Sequence, residues 1–92
     1  MTLTLAKMEK VEREVVAGLV DRGIGVSSDN ESSFNDLYLS LDNNENILTA
    51  RIYHDDRKGY IVNYVDRTTK EFKIENTMTT KRTIIFLEYL MY

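Results

Sequence analysis

The sequence contains no cysteine, no proline and no tryptophan, and it has a single histidine. Without cysteine the chain has no disulfide, no thiolate nucleophile and no cysteine-based zinc site. Without proline, no strand ladder is interrupted and no prolyl isomerisation slows folding. No apolar run approaches the ~20 residues that a membrane-spanning helix needs, and the first residues lack the features of a secretory signal. These absences predict a cytoplasmic protein with no membrane segment and no cofactor.

The composition predicts one domain over residues 1–92, since 42% of the residues are hydrophobic, enough for one small core. The net charge of −3 is unevenly distributed. Residues 1–46 carry four basic and nine acidic side chains, a net charge of −5, and residues 47–92 carry eight basic and six acidic ones, a net charge of +2. Neither half contains a long block of like charges, so no charged tail is indicated.

A first helix is predicted from about Leu5 to Arg22. Thr4 is suitable as its N-cap, and Gly23 stands where a left-handed residue commonly ends a helix. Apolar residues recur at spacings of three and four, as expected for the buried stripe of an amphipathic helix. The stripe consists of Leu5, Met8, Val11, Val15 and Leu19.

The apolar period changes to two after residue 35, which predicts an antiparallel β-meander of three to four strands. Strands are expected at 37–41, 47–54 and 60–65, with a shorter one at 70–76, and residues 24–35 are expected to form a loop. Connections of four or five residues favour antiparallel pairing between neighbours, and Gly59 is expected to supply a positive φ in one of them. The second strand should have two distinct faces. These are Leu48, Ala50 and Ile52 on one side, and Thr49, Arg51 and Tyr53 on the other.

The last ten residues, TIIFLEYLMY, form the most apolar segment of the chain. We predict a helix from about Thr80, capped by Thr79 or Thr80, although a strand is an alternative because short apolar runs do not distinguish the two by period. Such a segment has to be buried, under the protein's own sheet or against another molecule. The predicted fold class is α+β, with an N-terminal helix, the meander and a C-terminal apolar helix.

One group of residues has the composition of a catalytic or metal site: His54, followed by Asp55 and Asp56. Neighbouring residues of a strand point to opposite faces, and no second histidine or cysteine exists to complete a zinc site. A hairpin turn explains this sequence better. We therefore predict no catalytic, cofactor-binding or metal-binding residues, and a protein that is not an enzyme.

Nucleic-acid binding is the alternative function. Aromatic and basic side chains alternate along the later strands, and such a sheet face can hold a single strand by stacking and phosphate contacts. The candidate residues are Arg51, Tyr53, Lys70 and Lys73. Acidic residues lie among them, and the net charge is negative, which opposes this interpretation. The element order is also that of double-stranded-RNA-binding domains, but TTKRTIIFLEYL lacks that family's lysine-rich second helix.

The preferred interpretation is a small non-catalytic protein-binding module, with a homodimer as one possible form. The apolar last segment offers more faces than one sheet can cover, so a partner is expected to cover the rest. The residues expected at that interface are Phe86, Leu87, Tyr89 and Tyr92.

In size and charge the chain resembles small phage-encoded inhibitors of host defence nucleases. This resemblance implies an inhibitor or adaptor of viral or mobile-element origin that acts on a host protein. It also implies that acidic residues of the first half mimic nucleic-acid phosphates. These acidic residues are Asp21, Asp29, Glu31, Asp36, Asp42 and Glu45.

Overall fold

In the computed structural model, which describes residues 5–28, 36–66 and 68–92, two helices pack on one face of a five-stranded antiparallel sheet. The elements are α1 (Leu5–Asp21), β1 (Gly25–Ser28), β2 (Asp36–Asp42), β3 (Ile47–Asp55), β4 (Gly59–Val65), β5 (Phe72–Thr77) and α2 (Thr80–Met91). The strands lie side by side in chain order, β1-β2-β3-β4-β5. The α+β class is confirmed. Neither helix, as far as it is described, is long and apolar enough to cross a membrane.

The sheet has five strands, so the predicted count of three to four is wrong. The additional strand is β1, within the segment that was predicted as a loop. Its sequence, GVSS, has one apolar residue and shows no alternating pattern. Strand β1 forms because it pairs with β2, from Gly25 opposite Asp42 to Ser28 opposite Leu39. The other four strands agree with the predicted bounds to within two residues.

Helix α1 ends one residue before its predicted end. Gly23 has a φ of +79°, and its N–H and that of Ile24 donate to carbonyls of the last helical turn. This pair of bonds is the Schellman arrangement, in which glycine avoids the cost of a left-handed conformation. The described part of the predicted stripe, Val11, Val15 and Leu19, is buried. The proposed cap Thr4 and the side chains of Leu5 and Met8 lie outside the described residues.

The core lies between the helices and the inner face of the sheet. The two faces predicted for β3 are confirmed, because Leu48, Ala50 and Ile52 are buried and the alternate residues are not. Strands β2 and β4 add Leu37, Leu39, Leu41 and Val62 to the same core. The outer face of the sheet carries no helix among the described residues, and we call it the open face.

The last segment is the predicted helix and not a strand. The Thr79 side chain caps α2 by accepting a hydrogen bond from the Arg82 N–H at 3.1 Å. At the other end, the side-chain amides of Asn43 and Asn46 both donate to the Met91 carbonyl. The β2–β3 turn therefore caps the C-terminus of α2 and fixes its position on the sheet.

Candidate protein-binding surface

Strand β5 is an edge strand, and no described residue pairs with its outer side. Of its six side chains, in the sequence FKIENT, only Thr77 is buried. An edge strand presents a row of unpaired N–H and C=O groups that can pair with another chain. This edge is therefore the first feature of a possible binding surface.

The hydrogen bonds of the β4–β5 hairpin fix which backbone groups point to the free edge. The Asp66 N–H donates to the Glu71 carbonyl at 2.9 Å, so these two residues form a hydrogen-bonded pair. Hydrogen-bonded and non-hydrogen-bonded pairs alternate along an antiparallel ladder. In the register of β4 with β5, the residues of β5 whose N–H and C=O groups point away from β4 are therefore Phe72, Ile74 and Asn76.

Exposed apolar side chains flank this edge on both faces of the sheet. On the open face, Phe72 is 84% exposed and Ile74 is 65% exposed. On the helix face, a groove of about 580 Å³ separates β5 from α2, and Met78, Ile85 and Tyr89 are among its lining residues. Exposed apolar residues that are grouped in this way mark interaction sites, whereas single ones do not.

We use the name β5 edge surface for the free edge of β5 together with these five side chains, Phe72, Ile74, Met78, Ile85 and Tyr89. The surface thus combines unpaired backbone groups with apolar side chains above and below them. A β-strand added at this edge would satisfy the backbone groups and cover the side chains at the same time.

The four residues predicted from the last segment divide between the core and the surface. Leu87 is fully buried in the protein's own core and is not available to a partner. Phe86 is half-buried, with its ring edge-on to Tyr64 at 5.5 Å between centroids. Tyr89 and Tyr92 are exposed, and the Tyr92 hydroxyl donates to a carbonyl at the end of α1 at 3.1 Å. Of the four, Tyr89 belongs to the β5 edge surface.

Sequence reasoning did not identify Phe72, Ile74 or Met78 as site residues. The segment KEFKIEN was recognised as a short strand, but its position at the edge of the sheet was not. One signal was present, because Lys and Glu alternate with the two apolar residues of β5, and charged side chains are typical of edge strands.

Arg51 and Tyr53, two of the candidates for nucleic-acid binding, lie together on the open face. The Arg51 guanidinium stacks over the Tyr53 ring, 4.6 Å from its centroid. The same guanidinium forms an ion pair with Asp36 at 2.9 Å, so an acidic neighbour already offsets its charge. Asp36 was also one of the proposed phosphate mimics; of the others, Asp29 and Glu31 lie outside the described residues.

The other two candidates, Lys70 and Lys73, do not share that face. Lys73 is opposite Tyr64 on the helix side of β5, and its ammonium group lies 3.3 Å from an Asp66 carboxylate oxygen. Lys70 is in the turn before β5, with a φ of +62°. The four residues therefore do not form one basic face. The nucleic-acid alternative stays a prediction, and a salt-dependent mobility shift with single-stranded RNA would test it.

The residues around His54 form a hairpin turn. The Asp55 carboxylate accepts two backbone N–H bonds from residues 57 and 58, and these bonds lower the pKa of Asp55. The His54 ring packs edge-on against Tyr60 at 5.3 Å, and its Nδ1 lies 3.9 Å from an Asp56 oxygen. Within the described ranges, no group of three or more His, Asp or Glu side chains is arranged to hold a metal ion.

Comparison with known proteins identifies no relative of this chain. No protein-family model matches it, and no significant match is found among curated proteins or among solved structures. A function for the chain therefore has to be argued from the β5 edge surface itself.

Proposed function

We propose that the protein is a small non-catalytic protein-binding module, and that its partner adds a β-strand to the free edge of β5. The observation that carries this proposal is the coincidence of two features in one place. The outward backbone groups of β5 pair with no described residue, and apolar side chains lie on both faces next to them. Strand addition uses main-chain hydrogen bonds for affinity and flanking side-chain pockets for specificity.

The energetics favour occupancy of this surface by a polypeptide. Burial of an exposed side chain such as Phe72 or Ile74 contributes about 1.5–3 kcal/mol when it is complete. Tyr89 has the properties of an anchor residue, since a rigid aromatic ring with a polar end is enriched at the centre of interfaces. It stands beside a groove, where an apolar side chain of the partner would pack against its ring.

A more specific role stays a prediction. In that role the module is an inhibitor or adaptor of phage or mobile-element origin that acts in the cytoplasm on a host protein. The small size and the acidic first half support this interpretation.

The proposal can be tested with a library of extended peptides displayed on phage and selected against sparsely immobilised protein. We expect the selected peptides to alternate apolar and polar residues, as a strand with two different faces requires. Their binding should be lost in Ile74→Pro, which removes an N–H on the free edge and leaves the ladder to β4 intact. It should also be weakened in Tyr89→Asp.

The matched control is Val20→Asp, which places the same charge on an exposed apolar residue of α1. Helix α1 contacts β1, β2 and α2, and Val20 lines neither of the two grooves beside β5. Peptides that bind Ile74→Pro and Tyr89→Asp as well as they bind the unmodified protein would overturn the proposal. An unmodified protein that selects no peptide and has no self-association would overturn it as well.

A further inference from the structure

We propose that the partner of the β5 edge surface is a second copy of this chain. The two copies would be related by a two-fold axis at Ile74, and their sheets would join into one sheet of ten strands. This inference rests on the proposed function and names the polypeptide that occupies the site. It follows from three properties of β5: the direction of its backbone groups, the order of its charges and the position of Tyr89 beside it.

The backbone groups of β5 restrict how two copies can pair. Residues with outward N–H and C=O groups must lie opposite residues that also have them, and in β5 these are Phe72, Ile74 and Asn76. All three are used in one antiparallel register, with Ile74 opposite Ile74 of the second copy and Phe72 opposite its Asn76. Each such pair exchanges two hydrogen bonds, which gives about six across the interface. A shift by two residues in either direction leaves fewer pairs.

The charges of β5 favour the same register. With Ile74 on the axis, Lys73 lies opposite Glu75 of the second copy, and the symmetry produces this pair twice. These are non-hydrogen-bonded positions, where the Cα atoms of opposite residues approach to about 4.5 Å. In the two registers shifted by two residues, Lys73 would lie opposite Lys73, or Glu75 opposite Glu75. Opposite charges stabilise a cross-strand pair and like charges destabilise it, so both shifted registers are disfavoured.

Three of the five apolar side chains of the β5 edge surface, Ile74, Ile85 and Tyr89, would lie near the axis in the same arrangement. On the open face, Ile74 would contact its own copy across the axis. On the helix face, Tyr89 lines one groove with Lys73 and another with Glu75, which places it level with Ile74, between these two residues. Tyr89 of each copy would therefore lie at the level of the axis, one helical turn from Ile85.

A two-fold pairing of this kind is closed. Both copies use the same edge, so the interface is isologous and adds no third molecule. As far as the chain is described, the outer edges of the joined sheet would be the two β1 strands, which are four residues long and have one apolar side chain each. Short polar edges of this type oppose further growth of a sheet. We therefore expect a dimer and not a fibre.

The first test is the mass of the native protein by light scattering, up to about 100 µM, a range that detects a micromolar Kd. We expect twice the chain mass of 10.7 kDa. Glu75→Lys should raise the dimer Kd by about tenfold or more, because two Lys–Lys pairs then face each other. The double variant Lys73→Glu with Glu75→Lys should restore association. Its unfolding in urea is measured alongside, because Lys73→Glu also replaces the ion pair with Asp66 by two carboxylates. As a matched control, the exchange of Lys10 and Glu14, an ion pair on α1, should leave the mass unchanged.

Disulfide cross-linking tests the register separately. Because the chain has no cysteine, introduced thiols are the only ones present. Lys73→Cys and Glu75→Cys proteins are oxidised separately and as an equimolar mixture. We expect the mixture to form a disulfide between copies, since these two positions face each other at a distance within the disulfide range. Each protein alone should form much less, because its two thiols are then two residues out of register.

The outcomes separate this inference from the proposed function. A strict monomer whose edge binds displayed peptides overturns the second copy as partner and leaves the protein-binding function in place. A monomer that binds no peptide overturns both. If the protein is a dimer, two results would overturn the pairing proposed here. One is a mixture of the cysteine variants that forms no more disulfide than either variant alone, and the other is a double charge variant that does not associate.

Discussion

The Thr77 hydroxyl lies 2.6 Å from the Thr83 hydroxyl, in a buried contact between the end of β5 and the first turn of α2. Thr83 also donates its proton to the Thr79 carbonyl at 3.0 Å, so Thr77 has to be the donor between the two hydroxyls. Thr77 is the only buried side chain of β5. This short chain of hydrogen bonds therefore fixes the edge strand against the helix that forms the other side of the groove.

The first prediction concerns Thr83→Val, a substitution of nearly equal shape. It leaves the buried Thr77 hydroxyl without its acceptor, and a buried unsatisfied polar group costs about 1–3 kcal/mol. We expect the free energy of unfolding in urea to fall by that amount. The double variant Thr77→Val with Thr83→Val removes both hydroxyls and should recover part of the loss. Equal stability of Thr83→Val and the unmodified protein would show that the contact contributes nothing.

The second prediction concerns the close approach of the two helices at Gly18. A Cβ added at this position would lie 2.6 Å from the Ile84 Cδ1 atom, which is shorter than a van der Waals contact. Helix propensity alone would favour alanine over glycine by about 1 kcal/mol. Overpacking typically costs about 1–3 kcal/mol, and we expect it to exceed that gain, so Gly18→Ala should destabilise the protein.

Ile84→Val provides the control for this contact, because it removes the nearest atom, Cδ1, and keeps Cγ2 and Cγ1, which would lie 3.1 and 3.2 Å from the added Cβ. In the Ile84→Val background, Gly18→Ala should therefore be less destabilising. The measurement is a double-mutant cycle from urea unfolding, with an expected coupling of about 1 kcal/mol. Additive effects of the two substitutions would mean that the helices can move apart at no cost.

The division of α2 between core and surface shows where sequence reasoning stops. A helix that is apolar on all sides has no periodicity to indicate which stripe faces the sheet. Leu87 and Tyr89 were therefore assigned to the same interface. In the structure, Leu87 shares a stripe with Ile84 and Met91, three and four residues away, and this stripe packs on the sheet. Tyr89 lies outside the stripe and remains exposed.

The strands also show what the sequence pattern does and does not identify. Alternation identified β2, β3 and β5, and the β-branched and aromatic residues of β4 identified that strand. The pattern of β1 is too short and too polar to predict a strand, and only its pairing with β2 reveals it. The predicted meander places its last strand at an edge, but the sequence does not show that apolar side chains flank this edge on both faces of the sheet. The β5 edge surface was therefore not predicted.

The third prediction concerns the cap that the β2–β3 turn provides for α2. Asn43→Asp keeps the oxygen that accepts two N–H bonds within the turn, but it removes the amide that donates to the Met91 carbonyl. It also places a negative charge at the negative end of a helix dipole. We expect a loss of about 1–2 kcal/mol in the free energy of unfolding.

Asn46→Ala is the comparison for this variant, because it removes the second donor to the Met91 carbonyl without adding a charge. We expect it to cost less than Asn43→Asp, about 0.5–1.5 kcal/mol. If raised salt concentration reduces the difference between the two variants, the charge is responsible for the additional loss. If Asn46→Ala is the more destabilising of the two, this account of the cap is wrong.

The fourth prediction concerns the acid sensitivity of the turn that leads into β5. The Asp66 carboxylate accepts the N–H groups of Thr69 and Thr68 and lies beside the Lys73 ammonium, and these contacts lower its pKa in the folded state. When folding lowers the pKa of a carboxyl group, the ionised group stabilises the folded state. This contribution is complete above the pKa of the unfolded state, near 3.9, and it is lost as the pH falls through the pKa of the folded state. We therefore expect the free energy of unfolding to decrease below about pH 4.

Asp66→Asn tests this assignment, because asparagine keeps an acceptor for the turn but has no charge to titrate. The variant should be less stable than the unmodified protein near pH 6 and should lose less stability on acidification. Asp55→Asn, at the β3–β4 turn, should flatten the profile in the same way, since Asp55 also has a lowered pKa, held by two backbone N–H bonds. Urea unfolding over a series of pH values provides the measurement. Parallel pH profiles for Asp66→Asn and the unmodified protein would show that this carboxylate is not a source of the acid sensitivity.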